Sequence, residues 1–176
     1  MSKIAFAVIA CAVLSASQAA AHVTLERLQA PVGSYYKAVF AVPHGCAGSA
    51  TVKLRVQIPE GVIGIKPMPK PGWMLETVKG KYATEYEFHG SKLSEGVKEV
   101  VWSGGKLADD NFDEFVFSSF LTQSLKPDTT LYFPVVQECE QGVSRWIDIP
   151  AAGHGGSGHG HDSKTPAPGL KLTTKP

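Results

Sequence analysis

From Ser34 onward the apolar residues fall at alternate positions or in short runs, with Gly and Pro between them. The stretches "SYYKAVFAVP" (34–43), "ATVKLRVQIP" (50–59), "WMLETVKG" (73–80), "TEYEFHG" (84–90), "VKEVVWSG" (97–104), "DEFVFSSFLT" (113–122), "TLYFPVVQEC" (130–139) and "VSRWIDIP" (143–150) have the length and residue types of strands. No window carries a long apolar stripe at helical period, and only "KLSEGVKEV" leaves room for a short helical turn. Seven to nine short strands separated by turn signals predict an all-β chain folded as an antiparallel β-sandwich, because a parallel sheet needs crossover helices. Closure as a jelly roll or barrel stays open. Pro134 lies inside one predicted strand and marks it as an edge or a bulge, since proline cannot donate to the ladder.

The two ends of the chain break this pattern. Met1-Ser-Lys is followed by an apolar run from Ile4 to Leu14 and then by small residues ending in Ala19-Ala20-Ala21, the order of a secretory signal peptide. The run is well short of the roughly 20 residues that span a bilayer. Residues 1–21 are therefore expected to be cleaved and the protein to be periplasmic or otherwise exported. Cleavage after Ala21 makes His22 the first residue, whereas cleavage after Ala20 leaves Ala21 there. Cys11 sits within the apolar run and leaves with the signal. At the other end, "AAGHGGSGHGHDSKTPAPGLKLTTKP" (151–176) is built from Gly, Ser, Pro, Lys and His and reads as a disordered tail, so the domain is expected to run from 22 to 150.

Charge and cysteine content narrow the class. Loss of Lys3 with the signal turns 17 basic residues into 16 against 16 acidic ones. A neutral chain lacks the clustered Lys and Arg that phosphate binding needs, so nucleic acid is not expected as a partner. Cys46 and Cys139 remain, and in an oxidising compartment they are expected to form one disulfide. Neither belongs to a CxxC pair, which weighs against two thiolate metal ligands.

His22 is the most informative residue. As a first residue it offers an α-amine and Nδ1 to one ion, and such nitrogen ligands favour Cu(II). A histidine after a signal is weak evidence by itself. His44, in the loop "VPHGCAGS" two residues before Cys46, is the best second ligand by chemistry, with a strand-end turn histidine as the plain alternative. His89 reads as a surface residue, Met68 and Met74 as core fillers that also have Cu(I)-binding thioethers, and Trp73, Trp102 and Trp146 by general expectation as core plugs. His154, His159 and His161 form a tract that either binds divalent metals loosely or only solubilises the tail. Asp109-Asp110 and Asp113-Glu114 read as a solvated acidic turn. Nucleophile-elbow, HExxH and phosphate-loop motifs are missing, and no cysteine is left as a nucleophile.

"HVTLERLQAPVGSYYKAVFAVPHGC", "VKLRVQIPEGVIGIKPMPKPGW", "VVWSGGKLADDNFDEFVFSSFL" and "GVSRWIDIP" occur in the order of the YcnI-like (DUF1775) family of exported bacterial proteins, which the chain resembles over most of 22–150. The resemblance implies a cupredoxin-like or immunoglobulin-like sandwich that holds Cu(II) through its N-terminal histidine, a carboxylate from a loop after an early strand, and a nearby tryptophan. Carried over, His22 takes the histidine position and Trp146 the tryptophan position, with Trp102 second. The loop expected to hold the acid contains none, so His44 is expected to replace it, giving a two-histidine site similar to that of copper-dependent polysaccharide oxygenases. Glu26 is the fallback oxygen ligand.

The expected function is that of a non-enzymatic copper chaperone or buffer in copper homeostasis. Its expected partners are copper transporters or other periplasmic copper carriers and, as an option, a second copy of the chain. Removal of 151–176 is expected to matter little. The alternatives are a copper redox enzyme of oxygenase type and an adhesive sandwich that binds no metal.

Overall fold

The computed structural model describes residues 22–150 and 165–175, and among these there are strands and no helix. In chain order the strands are β1 (Thr24–Leu25), β2 (Gln29–Pro31), β3 (Ser34–Val42), β4 (Thr51–Gln57), β5 (Val62–Pro67), β6 (Met74–Phe88), β7 (Ser91–Leu107), β8 (Asp113–Leu121), β9 (Thr130–Tyr132), β10 (Val135–Cys139), β11 (Val143–Trp146) and β12 (Gly169–Thr173). One sheet has the order β1-β3-β8-β5, the second β11-β10-β4-β7-β6, and a small third sheet β2-β12-β9. All named neighbours are antiparallel except β2 and β12. The antiparallel sandwich expected from the alternation is the fold that forms.

Alternation decides which side chains meet. In β3 and β8 the paired residues Tyr36 and Ser119, Ala38 and Phe117, and Phe40 and Phe115 all point inward, each pair matching a large residue with a small one or two rings with each other. Trp102 of β7 reaches across to Phe115 of β8 at 5.5 Å between ring centroids, so the two main sheets share one core. Phe40, Phe115, Phe117, Phe133 and Trp102 are fully buried, each stabilising the fold by about 1.5–3 kcal/mol on area grounds. Burial also pushes the Tyr36 phenol up to about 12, and its hydroxyl donates to the Arg27 carbonyl at 2.7 Å.

Cys46 and Cys139 form the expected disulfide, with 5.9 Å between Cα atoms and a sequence separation of 93. It ties the connection that crosses from β3 in the first sheet to β4 in the second to the end of β10, the neighbour of β4. A loop of that length implies roughly 4–5 kcal/mol of stabilisation through the unfolded chain.

Three expectations are corrected. "KLSEGVKEV" lies inside β7 and forms no helical turn, because its backbone is used in the ladder with β6. The stretches 73–80 and 84–90 are one strand, β6, with a register shift between Lys81 and Tyr86.

The third correction concerns the tail, which is part of the domain over residues 165–175. Gly169–Thr173 pairs with β2 on one side and β9 on the other, and its alternation buries Leu170 and Leu172 while Lys171 points out. Two leucines at period two were diluted by the Gly- and His-rich composition ahead of them. The amides of Ile147 and Asp148 both donate to the Thr165 carbonyl, at 3.1 and 3.0 Å, and the Ala167 amide donates to the Asp148 carbonyl at 2.9 Å. The Thr165 hydroxyl adds a bond to the Asp148 carboxylate at 2.7 Å. Residues on either side of 151–164 are thus bonded to each other. The tract holding His154, His159 and His161 lies outside the described residues.

Candidate metal centre

β1 is the edge strand of the first sheet and β11 an edge strand of the second. Val23 and Leu25 turn into the core, which anchors the start of the domain on β3 and leaves His22 partly exposed. Trp146 ends β11 with its ring inside, 5% exposed. The two rings meet edge to face, with centroids 5.4 Å apart and planes at 87°. The site lies where these two edge strands approach each other.

Behind Trp146 stands a polar side chain in the core. Gln137, in the middle of β10, is 1% exposed. Its Oε1 accepts the Trp146 indole N–H at 3.0 Å, and its Nε2 donates to the His44 carbonyl and to the Thr51 hydroxyl, both at 2.7 Å. Both amide hydrogens and the carbonyl are used, so the desolvation cost of burying a carboxamide is offset.

The loop that carries His44 is fixed from several directions. Cys46 and Ser49 exchange backbone hydrogen bonds at 2.9 and 3.0 Å around Ala47 and Gly48, both at positive φ, and glycine suits the second of these positions. The Gly45 amide donates to the Asp109 carboxylate at 2.9 Å, and a Cβ at Gly45 would lie 1.9 Å from the Ser49 carbonyl oxygen, so no other residue fits. The disulfide holds Cys46, and the Gln141 amide donates to the Ser49 hydroxyl at 2.8 Å. His44 Nδ1 is hydrogen-bonded to the Gly45 carbonyl. A carbonyl only accepts, so Nδ1 is the donor in this contact, which leaves Nε2 as the ring atom of a neutral imidazole that a metal would use.

His22 and Trp146, which the family resemblance had placed together, are in ring contact. His44 joins them through its main chain, one carboxamide away from the indole. Trp102 does not belong to this group, because its indole donates to the Met68 carbonyl at 3.2 Å in the core beneath β5 and β7. Glu26 is exposed and four residues along an extended chain from His22, about 13 Å at strand rise. His89 lies in the β6–β7 turn, where Tyr35 Oη and His89 Nε2 are 2.6 Å apart. Met68 and Met74 are 52% and 62% exposed, contrary to the core role expected of them. Trp73 packs on Phe115 at 5.0 Å between ring centroids.

The acidic turn is structural in part: Asp109 supports the His44 loop, and Asp113 is paired with Lys70 at 2.6 Å. Among the described residues no three His, Cys, Asp or Glu side chains gather as a metal cluster. A chelate drawing two nitrogens from His22 needs no such cluster.

Sequence reasoning missed Gln137, Thr51 and Asp109. For Gln137 the signal was present, since alternation back from the disulfide-bonded Cys139 points Gln137 inward with Val135. The bond between Asp109 and Gly45 joins residues 64 apart and leaves no local trace.

A family model described as "Domain of unknown function (DUF1775)" matches residues 22–172, a span that includes most of β12. Among solved structures, an uncharacterized protein from Nocardia farcinica, described as having an immunoglobulin-like fold, is similar with a TM-score of 0.62 and 27% identity. The similarity covers 87% of this chain and 99% of that one. A comparison with curated proteins finds no match.

Proposed function

This chain belongs to the DUF1775 family, and from that premise we propose that it is an exported Cu(II)-binding protein that buffers copper or hands it on. Copper is the cargo. Once residues 1–21 are removed, the α-amine and Nδ1 of His22 hold the ion, with Nε2 of His44 as the further nitrogen and Trp146 beside the ring. An unperturbed α-amine titrates near 7.7, so at neutral pH its proton competes only weakly with the ion.

The observation that carries this reading is the edge-to-face contact of His22 with a buried, hydrogen-bonded tryptophan at the junction of two sheet edges. An incidental first residue of a domain would have no reason to face a ring held in that way. The donor types also suit the ion, since imidazole and amine nitrogens match the ligand preferences of Cu(II). The same contact favours binding over oxygen chemistry, because the Trp146 ring flanks the imidazole on the side facing the core. Copper transporters or other extracytoplasmic copper carriers are the partners this role requires.

The test is a competition titration with Cu(II) on the mature chain lacking 151–164, with and without His22→Ala. One tight equivalent lost on substitution supports the proposal. Equal binding by both overturns it.

A further inference from the structure

We propose that Gln137 is the positioning residue of the copper site: one buried carboxamide sets both the Trp146 indole that meets His22 and the loop that presents His44. The inference rests on copper being held at His22. Its physical basis lies in the three partners of Gln137, which come from β11, from the β3–β4 connection and from β4. Chemistry fixes the sense of each bond. The indole N–H only donates and must face Oε1, while the His44 carbonyl only accepts and must face Nε2. The amide therefore has one orientation, and turning it over would break both contacts at once.

An inward position between Val135 and Cys139 ordinarily takes an apolar residue. A carboxamide there is costly unless fully bonded, and here every polar hydrogen has a partner. Thr51 takes the remaining hydrogen and is itself fully buried. Gln137 bonds the indole and the His44 carbonyl at once, so its displacement frees the two flanks of the site from this shared support.

The variants separate positioning from plain packing. Gln137→Leu removes both contacts. Gln137→Glu, recorded above the pH at which its buried carboxyl ionises, keeps the volume and an acceptor for the indole but replaces the donor to His44 with an oxygen. Thr51→Val removes only the third partner. The mature chain is loaded with one equivalent of Cu(II), and its electron paramagnetic resonance spectrum, its copper affinity and, without metal, its Trp146 indole N–H resonance are recorded.

Gln137→Leu is expected to shift the indole resonance, change the copper spectrum and weaken binding by about 10–100-fold, the usual effect of losing support behind a metal ligand. Gln137→Glu is expected to retain the indole resonance and still change the copper spectrum. Thr51→Val is expected to lower stability with the wild-type copper spectrum. If Gln137→Leu, or Gln137→Glu where the leucine variant does not fold, has the wild-type spectrum and affinity, the positioning role is overturned while the copper site stands. If the wild-type chain shows no copper signal that depends on His22, both ideas fall together.

Discussion

His22 and His89 lie at opposite margins of the sandwich, and each touches aromatic rings, His22 meeting Trp146 at 5.4 Å and His89 meeting Phe88 at 4.2 Å. Their surroundings differ in depth. Behind His22 the indole is bonded to a buried carboxamide, which is bonded in turn to a loop closed by the disulfide. His89 sits in a hairpin turn at φ 51° followed by Gly90 at φ 75°, and its ring nitrogen meets the hydroxyl of Tyr35, itself 59% exposed. A groove of about 450 Å³ beside it is lined by Glu85, Glu87, Phe120 and Gln123. Contact between a histidine and a ring is thus common to both places. What separates them is whether the protein has spent buried polar groups on fixing that contact.

The largest effect expected at the His22 side comes from its support. Ending the chain at Pro150 removes β12, which pairs with β2 beside β1, and with it Leu170 and Leu172. Each leucine lost from a core costs about 2–5 kcal/mol, so urea unfolding should show the domain near or past the limit of folding. Excising only 151–164 keeps the bonds between Asp148 and Thr165 and should leave the urea midpoint unchanged. Against the expectation that 151–176 matters little, residues 165–175 are thus predicted to be needed for folding.

Opening the disulfide with Cys46→Ala and Cys139→Ala should cost about 2–5 kcal/mol. Hydrogen exchange should quicken in residues 44–50 and leave the turn at His89 unaffected. Equal acceleration at both places would erase the contrast between them.

A smaller effect distinguishes the two aromatic partners. Trp146→Phe keeps a ring beside His22 but leaves the Gln137 carbonyl without its donor, which should cost about 1–3 kcal/mol in denaturant unfolding. Tyr35→Phe removes the exposed bond to His89 and should change stability by less than about 0.5 kcal/mol.

The smallest effect is one of pH on the hairpin near His89. Burial alone would raise the Glu60 carboxyl, but hydrogen bonds from Lys98, Tyr86 and the Ala83 amide outweigh it and hold the group below its ordinary value of 4.5. Burial, with help from Glu60, pushes the Tyr86 phenol up to about 12. A lowered carboxyl stabilises the folded state fully above its unfolded value and loses that contribution as pH falls through the lower folded one. Wild type should therefore lose more stability than Glu60→Gln on acidification below about pH 4.5, with little further difference in copper binding at neutral pH.

Much of the fold was legible because alternation in strands such as β3, β4 and β8 reports directly on which face is buried. Short strands were not. β1 and β2 have two and three residues, too few to show a period, and β5 has a glycine in its middle. β12 was hidden by its neighbours' composition, although Leu170 and Leu172 carry the right spacing. At the site, His22 and Trp146 were visible through family resemblance, and His44 through its place beside Cys46. Gln137 was overlooked because a polar residue at an inward position looks like a break in the pattern when it is in fact the link.

The central claim is that copper requires His22 to be first in the chain. Its most direct measurement is a Cu(II) titration of two mature chains lacking 151–164, one beginning at His22, verified by intact mass, and the other carrying one extra alanine ahead of it. Tight binding of one copper by the first and a loss of at least about tenfold in the second is the expected result, since the added residue takes the α-amine away from the His22 ring. Equal affinity in both would contradict the account.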